Sequence, residues 1–444
     1  MTAWELISHL RSHPFLRRVA VVVGGTAAAQ AITIAVSPLI TRLYGPEIFG
    51  VFGVFTAALA LVTPLANLSY GAAIVLPESD DEARTLFRLA ALIGLIMAIL
   101  SFIIVAAFDD EIAEAIGFTA DPHLLLIAPV MVLLSAVAEP LHHWLYRTKK
   151  FGVISRAAVI EAAANGLAKV GIGTMAATVP ALLATSILAS ALQVSLLWAS
   201  ARHTLMGRTA PDQPAERLPP PPTMRDVARR FRDFPLFKAP NDWLNMISNS
   251  IPPLILAAAL GPIPAGFYLL ARRVVVLPIT VISGAIGPIF LTRFVEATHG
   301  SERLRPLLLK GTAALAVAGL VPFGIIVAFG PWLFSLVFGA GWEPAGEYAR
   351  WLCLWFYFAF IAAPSFHAIP VLGLQGHFLV YQIVVLGLRA GALAAGAIYF
   401  RNDVLAIALL SIVGAVVNGT QIIWCAASCD VRSREDLPQL RQAV

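Results

Sequence analysis

Gly45-Pro46-Glu47-Ile48-Phe49-Gly50-Val51-Phe52 and Gly261-Pro262-Ile263-Pro264-Ala265-Gly266-Phe267-Tyr268 share one pattern, G-P-x-x-x-G-apolar-aromatic, 216 residues apart (45 to 261) in a chain of 444. In each copy a glycine closes one apolar run and a proline opens the next, which is the chemistry of a tight turn between two helices. A fainter echo, Ile103-Ile104-Val105-Ala106-Ala107-Phe108 against Ile325-Ile326-Val327-Ala328-Phe329, falls in corresponding places. The chain therefore reads as a duplicated helical unit.

Outward from these turns the sequence is 59% hydrophobic and 13% charged, against about 25% charged in an ordinary soluble domain. That excludes a water-soluble globule. A bilayer crossing takes about 20 apolar residues, and runs of that kind lie near 19–41, 49–76, 85–107, 123–145, 155–177, 179–200, 236–260, 265–291, 309–334, 348–371, 379–400 and 404–427. The expected fold is an all-α polytopic membrane protein of about twelve transmembrane helices in two six-helix lobes. An even number of spans per half makes the repeat parallel. The expected divisions are 1–202 for the N-terminal lobe, 203–233 for a Pro/Arg-rich linker, 234–430 for the C-terminal lobe and 431–444 for a tail. Arg11, Arg17 and Arg18 before an apolar run imitate a secretory signal, but the run continues from Val19 to Ile40 without a polar cleavage region and is read as an uncleaved first span. Cys353, Cys425 and Cys429 lack metal-ligand spacing and are read as packing residues.

With the N-terminus placed in the cytoplasm, 24 of the 31 Lys and Arg fall on the cytoplasmic side, 3 (Arg42, Arg350, Arg401) outside and 4 at membrane depth. This asymmetry predicts that both termini are cytoplasmic. The linker carries the block Pro219–Pro222, which favours extended chain, and Arg225, Arg229, Arg230 and Arg232 follow it where anionic lipid head groups lie.

Ionisable groups at membrane depth are costly and point to function. Glu161, Asn165 and Lys169 recur every four residues in span five and share one helix face, either as a polar ladder between helices or as a cargo-lining face. Arg272 and Arg273 lie in span eight and Arg389 in span eleven; adjacent residues diverge by about 100°, so at most one of the arginine pair aims into a lumen. These four cations face two buried acids, Glu139 and Glu161, and a cationic cavity favours an anionic cargo such as a phosphate. Glu139 with His142 and His143 near the inner end of span four is a candidate proton relay or an interfacial group. No nucleotide-motor or hydrolase motif is present.

Three stretches add a resemblance. Gly25-Thr26-Ala27-Ala28-Ala29-Gln30-Ala31, then Ser37-Pro38-Leu39-Ile40-Thr41-Arg42-Leu43-Tyr44-Gly45-Pro46-Glu47-Ile48-Phe49-Gly50, then Ala73-Ile74-Val75-Leu76-Pro77 before Asp80-Asp81-Glu82-Ala83, resemble the polysaccharide-transporter family of oligosaccharide-lipid flippases. That family includes O-antigen and capsule repeat-unit flippases, within the multidrug/oligosaccharidyl-lipid/polysaccharide exporter superfamily. Where its members often carry Tyr-Glu before the last stretch, this chain has Tyr70-Gly71, which removes a carboxylate.

The resemblance implies a non-enzymatic flippase that moves undecaprenyl-diphosphate-linked oligosaccharide units across a bacterial inner membrane for surface polysaccharide synthesis. Its partners would be that lipid-linked cargo, membrane lipids, and the polymerase and export machinery. Lys169, Arg272, Arg273 and Arg389 are the expected diphosphate ligands; Glu161, Asn165 and Gln382 would bond sugar hydroxyls; Glu139 and His142 are the expected ion-coupling pair. No cofactor is expected beyond a proton or sodium gradient. The competing readings are a multidrug antiporter of the same superfamily and a membrane-embedded glycan polymerase.

Overall fold

The computed structural model describes residues 14–206, 223–299, 304–372 and 374–441. Arg11, Arg303 and the linker run Pro211–Pro222 lie outside them.

Helix α1 runs over Pro14–Val62, 49 residues, and would be about 74 Å long if straight, more than twice the roughly 30 Å of a hydrocarbon core. It is two helices: Gly45 breaks it with φ 68° and ψ 173°, and Pro46 opens the second. Among the described residues ten helices are long and apolar enough to cross a membrane, and a pair bent by 45°, Ala340–Ile361 with Ala363–Ile369, makes an eleventh. Gly24–Leu65 is one of the ten, so its division at Gly45 brings the crossings to the expected twelve.

Two spans depart from their expected outlines. Span two ends at Leu65 rather than running to residue 76, because Leu68 and Ser69 take φ of 50° and 58°, and only the short helix α2, Tyr70–Ala73, follows. Non-helical backbone at this depth is tolerated only when protein satisfies it, and the Asn67 side chain accepts the Ser69 N–H at 3.0 Å. Span ten bends between Ile361 and Ala363, beside Pro364, whose missing N–H interrupts the hydrogen-bond ladder.

The remaining helices that matter here are α3 (Asp80–Ala107), α4 (Asp109–Ile116), α5 (Ala128–Arg147), α6 (Phe151–Gly173), α7 (Val179–Met206), α8 (Met224–Arg230), α9 (Ala239–Leu260), α10 (Pro262–His299), α11 (Leu304–Phe338), α12 (Glu343–Ile361), α13 (Ala363–Leu372), α14 (Gln375–Ala394) and α15 (Asp403–Arg441). The chain forms two compact units, Met1–Ser250 and Ile251–Val444. On α3, Leu95, Ile96, Ile99, Leu100, Phe102 and Ile103 are all exposed, an apolar face far beyond what a soluble monomer shows and suited to lipid.

The first unit is centred on Tyr70, Leu86, Leu141, Trp144, Leu145 and Leu197, and Val227 and Phe231 at the end of the linker complete the same core. Its α1 and α6 approach closely because glycines line the contact: a Cβ on Gly25 would lie 2.3 Å from that of Ser155, and Gly166 and Gly173 face Val36 and Tyr44. In the second unit Phe294, Leu308, Ile369, Cys425 and Cys429 pack together. The three cysteines are free and buried, as packing residues should be.

Candidate functional site

The first unit holds its intramembrane cation on an aromatic ring. Glu161, Asn165 and Lys169 follow one face of α6; the Asn165 amide donates to Glu161 Oε1 at 3.4 Å. Lys169 is 9% exposed and its Nζ stands 4.6 Å from the centroid of the Phe52 ring. An ammonium over a ring face is attracted by the ring's quadrupole, the more so when desolvated. The Tyr44 hydroxyl donates to the Lys169 carbonyl at 2.9 Å and fixes this part of α6 against α1.

The second unit repeats the theme with more charge. Arg389 on α14 lays its guanidinium 4.5 Å from the centroid of the Trp355 ring. Trp355, on α12, is nearly buried, stacks on Phe356, and fits only because Gly414 on α15 has no Cβ; one there would lie 2.4 Å from the indole. Tyr268 on α10 is fully buried, and the charges of Arg272 and Arg389 both bear on its hydroxyl. The charge of Arg389 also bears on Tyr381, whose hydroxyl meets the Val417 carbonyl and Thr420. Arg273, turned about 100° from Arg272, is half-buried on another face of α10. Gln382 is exposed and stands seven residues before Arg389 on α14, so the two share a helix face two turns apart.

A third cluster lies where span two breaks. Glu139 on α5 accepts a hydrogen bond from Asn67 at 2.7 Å, and His143 rather than His142 faces it, with Nε2 at 4.0 Å. Ser69 donates to Asp242 at 3.3 Å, and Lys238 pairs with the same carboxylate at 2.7 Å. A Cβ on Gly71 would lie 3.4 Å from Glu139 Oε1. The carboxylate absent at position 71 is thus matched by one reaching the same spot from span four. Asn67, Phe52, Tyr268, Trp355 and Tyr381 escaped the sequence reading, although Phe52 and Tyr268 end the two copies of the turn motif. Among the described residues no group of three His, Cys, Asp or Glu could hold a metal.

A family described as polysaccharide biosynthesis protein matches residues 39–347 of the chain. Amylovoran biosynthesis protein AmsL of Erwinia amylovora is 24% identical over 112 residues, 25% of this chain and 29% of the relative's length. The fold is similar to an inward-facing multidrug resistance MATE transporter, with TM-score 0.69 and 15% identity over 91% of this chain and 98% of that one. It is similar also to the lipid II flippase MurJ, with TM-score 0.66 and 11% identity over 95% of this chain and 92% of that one.

Proposed function

The chain belongs to the polysaccharide biosynthesis protein family and is a multi-pass membrane transporter of the flippase type, and from that premise we propose that its cargo is an undecaprenyl-diphosphate-linked oligosaccharide repeat unit. It moves the unit from the cytoplasmic to the periplasmic leaflet of a bacterial inner membrane, by alternating access, for O-antigen, capsule or exopolysaccharide synthesis. The observation that carries this reading is Arg389, whose guanidinium lies over the Trp355 ring with its Nε–H buried and without an acceptor. A guanidinium taken out of water needs an anionic partner, and diphosphate oxygens match its donors. Lys169 on Phe52 offers the first unit's cation to the same class of cargo, with Glu161 and Asn165 beside it for sugar hydroxyls. A cationic drug would meet repulsion from these groups, which disfavours the antiporter reading.

A proton or sodium gradient supplies the energy in this scheme, with Glu139 and its neighbour His143 as coupling groups. Depleting the protein tests the reading: undecaprenyl-diphosphate-linked repeat unit accumulates on the cytoplasmic leaflet while surface polysaccharide is lost. No accumulation, together with altered tolerance to cationic drugs, would favour the antiporter instead.

A further inference from the structure

Span seven carries an asparagine at every fourth residue, Asn241, Asn245 and Asn249 on α9, a spacing that sets all three on one helix face over about 12 Å. Asn241 and Asn245 are exposed and Asn249 is half-buried. The Asn249 amide donates to the Asn245 carbonyl at 2.8 Å and to its Oδ1 at 3.2 Å, so these side chains stand in a row.

Protein holds α9 from its other side. Trp243 lies two residues from both Asn241 and Asn245, about 200° around the helix from each, and its indole N–H donates to the Leu61 carbonyl of α1 at 2.9 Å. Ser250, on the same side as Trp243, is buried. Asp242, at the edge of the asparagine face, is already engaged by the Ser69 hydroxyl at 3.3 Å and by Lys238 at 2.7 Å. The asparagine face is therefore oriented, open and uncharged. Hydrocarbon offers an amide no hydrogen bond, so polar groups of a membrane-spanning helix turn to protein, to a wet cavity or to a ligand.

We propose that this face binds the sugars of the cargo, its amides exchanging hydrogen bonds with the hydroxyls of the oligosaccharide. A side-chain amide presents both donors and an acceptor, as a hydroxyl does, whereas an anion offers acceptors only and an ammonium donors only. The match is therefore to a neutral polyhydroxyl chain rather than to the diphosphate or to a cationic drug. This rests on the oligosaccharide reading of the cargo, and it assigns sugar recognition to the first unit while Arg389 takes the diphosphate.

The test uses the purified full-length protein in proteoliposomes. Asn245→Cys is treated with a charged, water-soluble thiol reagent, with the parent, whose Cys353, Cys425 and Cys429 are buried, as background. Labelling well above the parent is expected; none would mean that the face is packed or in lipid and overturns the proposal, whatever the cargo. Binding is then compared for the lipid-linked oligosaccharide extracted from cells depleted of this protein and for undecaprenyl diphosphate, which has no sugars. In Asn241→Leu/Asn245→Leu the affinity for the first is expected to fall about tenfold, the worth of one or two neutral hydrogen bonds, while that for the second holds; Asn241→Gln/Asn245→Gln, which keeps the amides, should recover part of the loss. An unchanged preference for the glycosylated lipid in the leucine variant, or an equal fall for both lipids, overturns the assignment of this face. A parent that binds both lipids equally also overturns it and leaves the diphosphate reading standing, whereas a parent that binds neither overturns that reading as well.

Discussion

Phe52 and Tyr268 occupy the same position in the two copies of the turn motif, and each sits by an intramembrane cation of its own unit: Lys169 stands 4.6 Å over the Phe52 ring, and Arg272 follows Tyr268 one helical turn on along α10. The duplication that shapes the backbone thus also places an aromatic side chain beside cationic groups in each half. The motif glycines obey the same correspondence. Gly45 and Gly261 both take positive φ, 68° and 92°, and in both cases a proline begins the next helix.

At neither glycine would a Cβ meet anything within 4 Å, so substitution acts through the backbone alone. Gly45→Ala and Gly261→Ala are each expected to cost about 1–3 kcal/mol, the penalty of a positive-φ backbone for an L-residue, read as a lower melting temperature. Gly24→Ala is the control: the site is helical and open, and the change should hold or raise stability.

Gly414→Ala is expected to act differently, by collision. The new Cβ, 2.4 Å from the Trp355 indole, must displace the ring or α15, at about 1–3 kcal/mol for overpacking. Because Trp355 carries Arg389, diphosphate binding should fall in the same variant. Trp355→Leu separates the two effects: it relieves the crowding, and binding still falls.

Asn67 is fully buried and gives its amide to Glu139. Glu139→Leu leaves that donor unsatisfied and should destabilise the first unit by about 1–3 kcal/mol. Glu139→Gln keeps an acceptor oxygen and should cost less. If Glu139 couples transport to a gradient, Glu139→Gln retains folding and loses the response of transport rate to an imposed pH difference, as measured in proteoliposomes.

Helix α8 begins with a reciprocal cap, Thr223 Oγ1 accepting from the Asp226 N–H at 3.3 Å while the Asp226 carboxylate takes both the Thr223 hydroxyl at 2.6 Å and its N–H at 3.3 Å. These bonds hold the Asp226 carboxyl below the ordinary aspartate value. A depressed pKa means a contribution that is present above the unfolded-state value, near 3.9, and is lost as pH falls through the lower folded value. Amide exchange over residues 224–231 should therefore show an intact cap at neutral pH in the parent, lost only below about pH 4. Asp226→Asn should weaken protection at neutral pH, several-fold for the capped amides.

Periodicity and charge made the twelve crossings and their turns legible, because lipid demands long apolar runs and because glycine and proline mark helix ends locally. The break after Leu65 was hidden: Leu68 and Ser69 are not residues that advertise positive φ, and the Asn67 side chain that supports them is satisfied from α5, 72 residues away. The spacing of Glu161, Asn165 and Lys169 showed a shared face, but the ring beneath Lys169 lies on another helix. Tyr268 carried a readable signal, standing four residues before Arg272 and ending the motif. Trp355 did not, since its pairing with Arg389 arises only from tertiary packing, in which α12 and α14 both lie against α15.

The central claim is that intramembrane cations carry an anionic lipid-linked cargo, and Arg389→Ala in proteoliposomes tests it most directly. The account predicts that translocation of undecaprenyl-diphosphate-linked oligosaccharide is lost while membrane abundance and melting temperature stay near those of the parent. Translocation at the parent rate by an equally abundant Arg389→Ala protein would contradict it.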